Sequence, residues 1–568
     1  MSNRHRPSLL GALLWIGLGI LFLLRNLGIG PSFWSLAARY WPVLLILLGL
    51  GKVIDYYLKK DAFSIRIGEV FGICLLLLIG SSLTRISDSQ VARFVRNLPI
   101  EIGDSSLQPG QYIGESHAFT EETTIPLPQP APIRVENSYG SVSVSPGTDG
   151  EIRVRLRKVI YAEQARAADI ASRIRLERGS EAAASEKSEA EPGKIPAGGP
   201  IVIRTNREFL ENVGETANTD MEILAPRSSR LEIRNTFGEV RVTGIEGAMD
   251  LSTSHRPLEI RDCAGRFTLS NRYGDTRLTN LNGDVKLEGR GKVYLENIKG
   301  NVEMRNEYSP VEISNIEGSV TVSITENSLR VEKVTGPVAI NARGARVKVE
   351  GLKGNLKITA SHQSVDVSDV TSAVSVESRY ASLALKDIGG NVEIRSNADN
   401  IRAEEIKGSL KVQARASAVR ANRILGPMDI QTSLKDVLVS DAADSCSIIN
   451  EHADVRVSSQ SLGKGGIQVR NRNGAIGLVL PAGSSFEINA TARNGNIRSD
   501  YPDLGPVRKE GNSAVLKARA KTGGPQILLE TEYDDIEISG ASAENERKRP
   551  KPERPGKTFA ASLNAGQD

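Results

Sequence analysis

Histidine and cysteine are the side chains through which this chain would most readily hold a metal or attack a substrate, and their spacing argues against both uses. His5, His117, His255, His362 and His452 are scattered without metal-ligand spacing, and Cys74, Cys263 and Cys446 form no CxxC pair and no disulfide framework. His255, His362 and His452 share one position of the repeat described below. About six and five repeats separate them, however, which is roughly 29 and 24 Å at a strand spacing of about 4.8 Å. Cys263 and Cys446 are likewise about ten repeats apart, whereas a disulfide needs Cα atoms within about 7 Å. No Ser–His–Asp arrangement, phosphate-binding glycine loop or His-rich motif is present. The sequence thus predicts no catalytic site, no cofactor and no transition-metal centre.

Two columns of other residues could bind something. Position 7 of successive repeats carries Phe237, His255 and Tyr273, then Tyr308, His362, Tyr380 and His452, and Tyr139-Gly140 makes the same corner upstream. If repeats stack, residues 18 apart become neighbours. An exposed column of rings could then grip sugar rings by their faces, or it could merely seal a turn. Phe237, His255, Tyr273, Tyr308 and Tyr380 are therefore the candidate ligand-binding residues. Position 14 carries Asp262, Asn280, Asn297 and Asn315, then Asp369, Asp387 and Glu405 on consecutive repeats. The asparagines suit a hydrogen-bonded amide ladder along a turn. The three carboxylates, about 4.8 Å apart when stacked, would repel unless a cation or a neighbouring Lys or Arg intervened. Asp369, Asp387 and Glu405 thus read either as an acidic strip for calcium or as solvated surface charge.

Both columns require a repeat, and from Leu231 onward the chain has one. Repeat starts fall at Leu231, Met249, Phe267, Val285, Val302, Val320, Val338, Leu356, Val374, Val392, Leu410, Met428 and Cys446, 18 residues apart with one step of 17, from Val285 to Val302. Apolar residues recur at positions 1, 3, 10, 12 and 15, as in Val302, Met304, Val311, Ile313 and Ile316. That pattern gives two short strands per repeat, each with one inward face. Glycine closes most repeats at position 17, from Gly247 to Gly426, where a corner needs positive φ or a close backbone approach. One repeat cannot bury five apolar side chains alone, but coils stacked in parallel can. The predicted fold is mainly β, a right-handed parallel β-helix or solenoid with 18-residue coils, the hand following the preference of parallel crossovers. Coils so short and regular leave no long loops from which to build a catalytic cleft.

Composition agrees with an array. At 568 residues the chain exceeds one compact core. Aromatics make up only 5% of it, and Val, Ile and Leu are spread through polar sequence as many short strands require. The formal net charge is +4, with Lys and Arg interspersed among Asp and Glu, so no nucleic-acid-binding stripe stands out. Residues 131–230 read as a β-rich capping region. It holds a strand–turn–strand at Ile133 to Val144, one helix from Tyr161 to Leu176 with Ile170 and Ile174 on one face, and a flexible loop at 178–200. The regular solenoid spans 231–466, and further strands with Asn473-Gly474 and Asn494-Gly495 turns fill 467–540. The charged tail at 541–568 is expected to be disordered.

Residues 1–85 are of another kind. Three apolar runs, roughly Leu9 to Leu24, Trp41 to Ile54 and Ile67 to Leu83, are each long enough with their flanks to cross a bilayer, which takes roughly 17 to 25 residues. A cleaved signal peptide is disfavoured, because no small-residue cleavage site follows the first run. Core helices of a soluble domain are the other alternative. Arg4 and Arg6 precede the first run, and Lys52, Lys59, Lys60 and Arg66 lie between the second and third, against Arg25 and Arg39 in the intervening connection. The positive-inside rule then places the N-terminus in the cytoplasm and everything after Leu83 outside. The expected arrangement is a three-helix transmembrane anchor over 1–85, a linker over 86–130 and an extracytoplasmic solenoid.

Phe33-Trp34 … Tyr40-Trp41-Pro42-Val43-Leu44-Leu45-Ile46-Leu47-Leu48-Gly49, preceded by Gly17-Leu-Gly-Ile-Leu-Phe-Leu-Leu-Arg-Asn-Leu-Gly28, resembles the membrane region of Lia-type bacterial cell-envelope-stress proteins. That resemblance covers about the first 85 residues and implies a bacterial cytoplasmic membrane. Ile133-Arg-Val-Glu-Asn-Ser-Tyr-Gly-Ser-Val, Glu222-Ile-Leu-Ala-Pro226, Leu231-Glu-Ile … Gly238-Glu-Val-Arg-Val and Gly477-Leu-Val-Leu-Pro-Ala-Gly483 make about residues 130–540 similar to the adhesin-type β-strand-repeat family of bacterial envelope proteins, a domain of unknown function. This second resemblance implies the solenoid and brings no catalytic motif with it.

Together these features lead to a non-enzymatic, membrane-anchored protein of the bacterial envelope, adhesin-like or a scaffold. Its expected partners are the lipid bilayer and either an envelope polysaccharide or a membrane sensor protein. The alternative is a regulator of envelope stress that acts through a membrane partner such as a histidine kinase. Self-association is a third line, because the ends of a solenoid expose strand edges unless flanking segments cap them.

Overall fold

The computed structural model describes residues 116–127, 131–180, 200–207, 210, 217–502 and 504–541. The helices expected over 1–85, most of the segment read as a linker, most of the loop at 178–200 and the tail from 542 lie outside the described residues. Among the described residues no helix is long and apolar enough to cross a membrane.

Strands come in pairs through the repeat. Numbered in chain order, β8 (Leu231–Asn235) and β9 (Val240–Thr243) form the first regular coil, and β34 (Ile467–Asn473) and β35 (Ile476–Pro481) the last of about 14. Val302 pairs in parallel with Val320 and Val320 with Val338 in one sheet, while Val311 pairs with Leu329 and Leu329 with Val347 in the other. The expected lateral neighbours are therefore real. Inward residues such as Val302, Met304, Val311, Ile313 and Ile316 are at most 3% exposed and belong to one continuous core running from Ile125 to Ile538. Each buried aliphatic side chain contributes about 1.5–3 kcal/mol, so a coil gains its stability by adding its row to the column.

The inward set breaks the two-residue period between positions 12 and 15, and the backbone shows how. Position 14 has positive φ in coil after coil: Asp262 (55°), Asn280 (56°), Asn297 (56°), Asn315 (56°), Lys333 (53°), Gly351 (71°), Asp369 (53°), Asp387 (53°), Glu405 (58°), Arg423 (55°) and Asp441 (57°). This residue drops out of the ladder, since Arg261 pairs with Thr279 and Cys263 with Leu281 across it. The strand thereby changes parity, and position 15 returns to the core.

At position 17 the decisive factor is close approach. A Cβ on Gly318 would stand 2.1 Å from the Gly300 carbonyl oxygen, one on Gly336 2.3 Å from that of Gly318, and one on Gly354 2.1 Å from that of Gly336. Positive φ adds to this only at Gly265, Gly283 and Gly300 in the column.

Both ends are interleaved. At the start, β1 (Ser116–Pro126), β2 (Ile133–Asn137), β3 (Val142–Pro146), β4 (Glu151–Tyr161), β5 (Leu176–Ser180), β6 (Ile201–Thr205) and β7 (Ala217–Ala225) precede the regular coils. The coil made by β2 and β3 lies between β6 and β7 on one side and β8 and β9 on the other. Antiparallel strands finish this end: β4 lies on β7, β1 on β4, and β5 on β6. Part of the segment read as a linker is thus a strand, β1. The helix α1 spans Gln164–Arg173, shorter than expected because β4 takes Tyr161 and β5 begins at Leu176. Its Ile170, with Ile174 just beyond, packs into a small satellite core with Ala167 and Ala217.

At the other end come β36 (Phe486–Arg493), β37 (Ile497–Ser499), β38 (Arg508–Glu510), β39 (Ser513–Ala520), β40 (Gln526–Thr531) and β41 (Ile536–Ala541). The late strand β40 inserts in parallel between β34 and β36, and β41 inserts between β35 and β37. Antiparallel β39 covers β36, and β38 covers β39. Among the described strands, three of the four sheet ends finish antiparallel and the fourth finishes in β37, only three residues long. The edges of the parallel coils are capped, which is how natural sheets avoid edge-to-edge pairing.

Replacing Gly336 by alanine should cost about 2–4 kcal/mol of local stability, because backbone must move to admit the methyl group. Hydrogen exchange would show it as faster exchange in Val320–Thr325 and Val338–Arg343. Gly150→Ala, where the added Cβ meets nothing within 4 Å despite a φ of +86°, should cost only about 1–2 kcal/mol. Equal protection in the Gly336→Ala and parent proteins would contradict the close-approach account.

Candidate functional site

Four corners of the ring column are held by a buried asparagine that the sequence reading did not single out, while the His255 corner has Thr253 in its place. Four corners read Asn137-Ser-Tyr-Gly140, Asn235-Thr-Phe-Gly238, Asn271-Arg-Tyr-Gly274 and Asn306-Glu-Tyr-Ser309. Each asparagine, at position 5, is at most 5% exposed. Its Nδ2 donates to a carbonyl a few residues on: Gly140 (3.1 Å), Gly238 (2.9 Å), Asp275 (3.1 Å) and Ser309 (3.0 Å), respectively. It also donates to a carbonyl of a neighbouring coil, as Asn235 does to Gly140 (3.0 Å) and Asn306 to Gly291 (3.2 Å). With the amide drawn inward, the aromatic residue two places later is left on the outside of the turn.

There the rings stack at the coil spacing. Tyr139 and Phe237 are 4.8 Å apart, Phe237 and His255 4.6 Å, and His255 and Tyr273 5.2 Å between centroids. Arg207 lies over Tyr139 at 4.5 Å, a cation–π contact. Of the five candidate residues, the structure joins Phe237, His255 and Tyr273 into one stack with Tyr139. Tyr308 stands apart from it, and Tyr380 pairs instead with His362 at 5.7 Å. Beside the stack lies a polar recess of about 410 Å³, lined by Glu136, Arg204, Arg207 and Arg234 and by the hydroxyls of Ser138, Thr236 and Ser254.

Position 14 forms the expected amide ladder. Asn280 donates to Asp262 Oδ1 (2.8 Å), Asn297 to Asn280 Oδ1 (3.1 Å) and Asn315 to Asn297 Oδ1 (3.1 Å). Asp369, Asp387 and Glu405 continue the same column. The first two are exposed, and Glu405 is paired with Arg423 of the next coil. No three acidic, histidine or cysteine side chains among the described residues gather to hold a metal ion. Positive φ accounts for the Asn, Asp and Gly at this position, which adopt it with the least strain, and not for Lys333, Glu405 or Arg423.

Farther along, a buried carboxylate replaces the corner asparagine. Position 5 is Ser378 and then Ser396, and Asp399, 4% exposed, accepts hydrogen bonds from both hydroxyls and from the Ala381 N–H. The Asp399 N–H donates in turn to Ser417 Oγ at 3.1 Å. This carboxylate ties successive coils together. Both described cysteines point inward and are free. Burial raises the thiol pKa of each, that of Cys446 to about 12. Because the thiolate is the reactive form, neither is a nucleophile near neutral pH.

Residues 9–53 match the family described as the LiaI-LiaF-like transmembrane region, which makes this a membrane-associated chain. Among solved structures, the chain is similar to a candidate cell adhesion protein from Clostridium sporogenes ATCC 15579. The identity is 9%, and the likeness covers 75% of this chain and 100% of that one with a TM-score of 0.13, a value that carries no argument. No curated protein sequence matches the chain.

Asp399→Ala would leave two buried hydroxyls and one N–H without their acceptor, at an expected cost of about 2–3 kcal/mol. Protection from hydrogen exchange should fall in Val374–Arg379 and Val392–Asn397, and unchanged protection there would show the carboxylate to be dispensable. For the thiols, iodoacetamide at pH 8 should leave Cys446 unmodified in the native protein and label it after denaturation. Native labelling, read by mass spectrometry of its peptide, would place the thiol in solvent.

Proposed function

We propose that this chain is a non-enzymatic, membrane-anchored protein of the bacterial envelope that uses its solenoid as an adhesin-like or scaffolding surface outside the cytoplasmic membrane. Three transmembrane helices within 1–85, a cytoplasmic N-terminus and a right-handed wind belong to this reading. The observation that carries it is the uninterrupted exterior of the coils. Between Leu231 and Pro481 the longest departure from the repeat adds three residues, between Cys446 and Ile467. An open groove of about 580 Å³ runs along six coils, with Lys357, Glu393 and Lys411 the charged residues of its lining. Outward charges pair across coils, as in Arg241–Glu259 (3.0 Å) and Lys286–Glu303 (3.6 Å). Exposed pairs of this kind add little stability, and they leave a polar, repetitive surface of roughly 65 Å along the stack, at about 4.8 Å per coil. Such a surface suits an extended polymer such as an envelope polysaccharide better than a small substrate.

A second reading, regulation of envelope stress through a membrane partner such as a histidine kinase, is favoured by the family match at residues 9–53. Retention of polysaccharide from isolated envelopes by the immobilised full chain is the expected result for the first reading, and no retention would count against it. Exchanging residues 9–53 for an unrelated membrane segment should leave envelope-stress transcription unchanged for a scaffold. A changed response would favour the regulator.

A further inference from the structure

Several coils put a residue other than a ring at position 7, such as Glu326 and Gly344, but only one, the coil after Tyr273, omits the position from the backbone. The 17-residue coil beginning at Val285 keeps register with both neighbours: Val285 pairs with Phe267 and Val302, and Val293 with Thr276 and Val311. The missing residue therefore belongs to the corner between Gly289 and Val293. Gly291 fills position 8, since a Cβ on it would stand 2.0 Å from the carbonyl oxygen of Gly274, the position-8 residue below. Arg290 fills position 6, pairing with Glu307 of that position above at 3.1 Å. The omitted residue is position 7, the ring position itself. Tyr273 and Tyr308, 50% and 56% exposed, thus stand on either side of a gap, two coil rises or roughly 9.6 Å apart along the stack. The intact column places rings 4.8 Å apart at Tyr139 and Phe237, so the gap admits one ring.

The corner hydrogen bonds reverse at the same coil. Upstream, the position-7 N–H donates one coil back: Phe237 to Ser138 (2.9 Å), His255 to Thr236 (3.2 Å) and Tyr273 to Ser254 (2.7 Å). Downstream it donates one coil forward, as Tyr308 does to Thr325 (2.9 Å) and Glu326 to Arg343 (2.8 Å). The position-6 carbonyls caught between the two directions, those of Arg272 and Arg290, receive no corner N–H from the described residues. Two aromatic residues and two backbone acceptors border this one gap, and the Arg272 guanidinium lies over the Tyr273 ring, 5.4 Å from its centroid, a face that a bound ring would take over from it.

We propose that this gap binds one pyranose ring of an envelope polysaccharide, with the C–H faces of the sugar against Tyr273 and Tyr308 and its hydroxyls donating to the Arg272 and Arg290 carbonyls. A pyranose has apolar faces and a rim of hydroxyl donors, whereas a hydrocarbon or phenyl ring satisfies the walls and leaves the carbonyls unused. This slot rests on the polysaccharide reading above and confines it to a single corner.

The test is equilibrium binding of cellotetraose and of chitotetraose to the full chain in lipid nanodiscs, free of glycoside detergent. At least one probe should bind. Tyr273→Ala and Tyr308→Ala should each weaken that binding about tenfold, and inserting a tyrosine between Arg290 and Gly291, which restores the column, should abolish it. Tyr380→Ala, an equally exposed ring outside the gap, should change nothing. Equal binding by the insertion variant, or no binding of either probe by the parent, overturns the slot. Envelope polysaccharide retained equally by parent and insertion variant overturns the slot and leaves the adhesion reading standing. Tetrasaccharide binding lost on insertion, in a chain that retains no envelope polymer, supports the slot and overturns that reading.

Discussion

A parallel coil can join the column only if it closes in register with the one beneath, and the tightest point of that closure is the contact of position 17 with a carbonyl oxygen of the preceding coil. From Gly247 to Gly354 every coil meets it with glycine, each one lying where a Cβ would be 2.1–2.3 Å from the Ser229, Gly247, Gly283, Gly300, Gly318 or Gly336 oxygen, or closer still against that of Gly265. The contact holds adjacent coils in register whether the coil has eighteen residues or, between Gly283 and Gly300, seventeen. Where the glycine is replaced, as at Ser372, a compensating bond is formed, its hydroxyl donating to the Lys353 carbonyl at 2.7 Å.

Register is reinforced from inside by polar residues. A corner asparagine such as Asn235 or Asn306 donates both to its own turn and to the neighbouring coil, so its Nδ2 donors are used in only one alignment. Side chains alternate between faces, so a one-residue slip would turn the amide out to water and an exposed residue into the core. The aliphatic column supplies most of the stabilisation without distinguishing one coil from the next. The asparagines and Asp399 supply that distinction.

Much of this was legible in the sequence, because a period of 18 carries strand positions, stacking partners and ladders all at once. Val302, Val320 and Val338 fell where the spacing put them, and so did the amides of Asn280, Asn297 and Asn315. The acidic strip was legible as a column, but its cause was not: Asp369 and Asp387 stand where the backbone needs positive φ, and the clue was the odd interval between apolar positions 12 and 15. Asn235 and its equivalents were overlooked because a polar residue at an inward position looks like a gap in the hydrophobic pattern. Periodicity is silent about pairing order once the repeat ends, so neither β1 within the presumed linker nor the insertion of β40 between β34 and β36 could be read from spacing. The membrane region was legible by hydropathy and lies outside the described residues.

The placement of β40 and β41 has a consequence for how the molecule is made. A solenoid of identical units can grow from any nucleus by adding neighbours in sequence order, but here the stretch from Gln526 to Ala541 completes a layer enclosed by residues synthesised well before it. Until that stretch leaves the ribosome, the layer from Phe486 to Ser499 has nothing to rest on. The distal end can therefore become native only after synthesis has passed Ala541, so a chain interrupted earlier would carry an unfilled apolar seam.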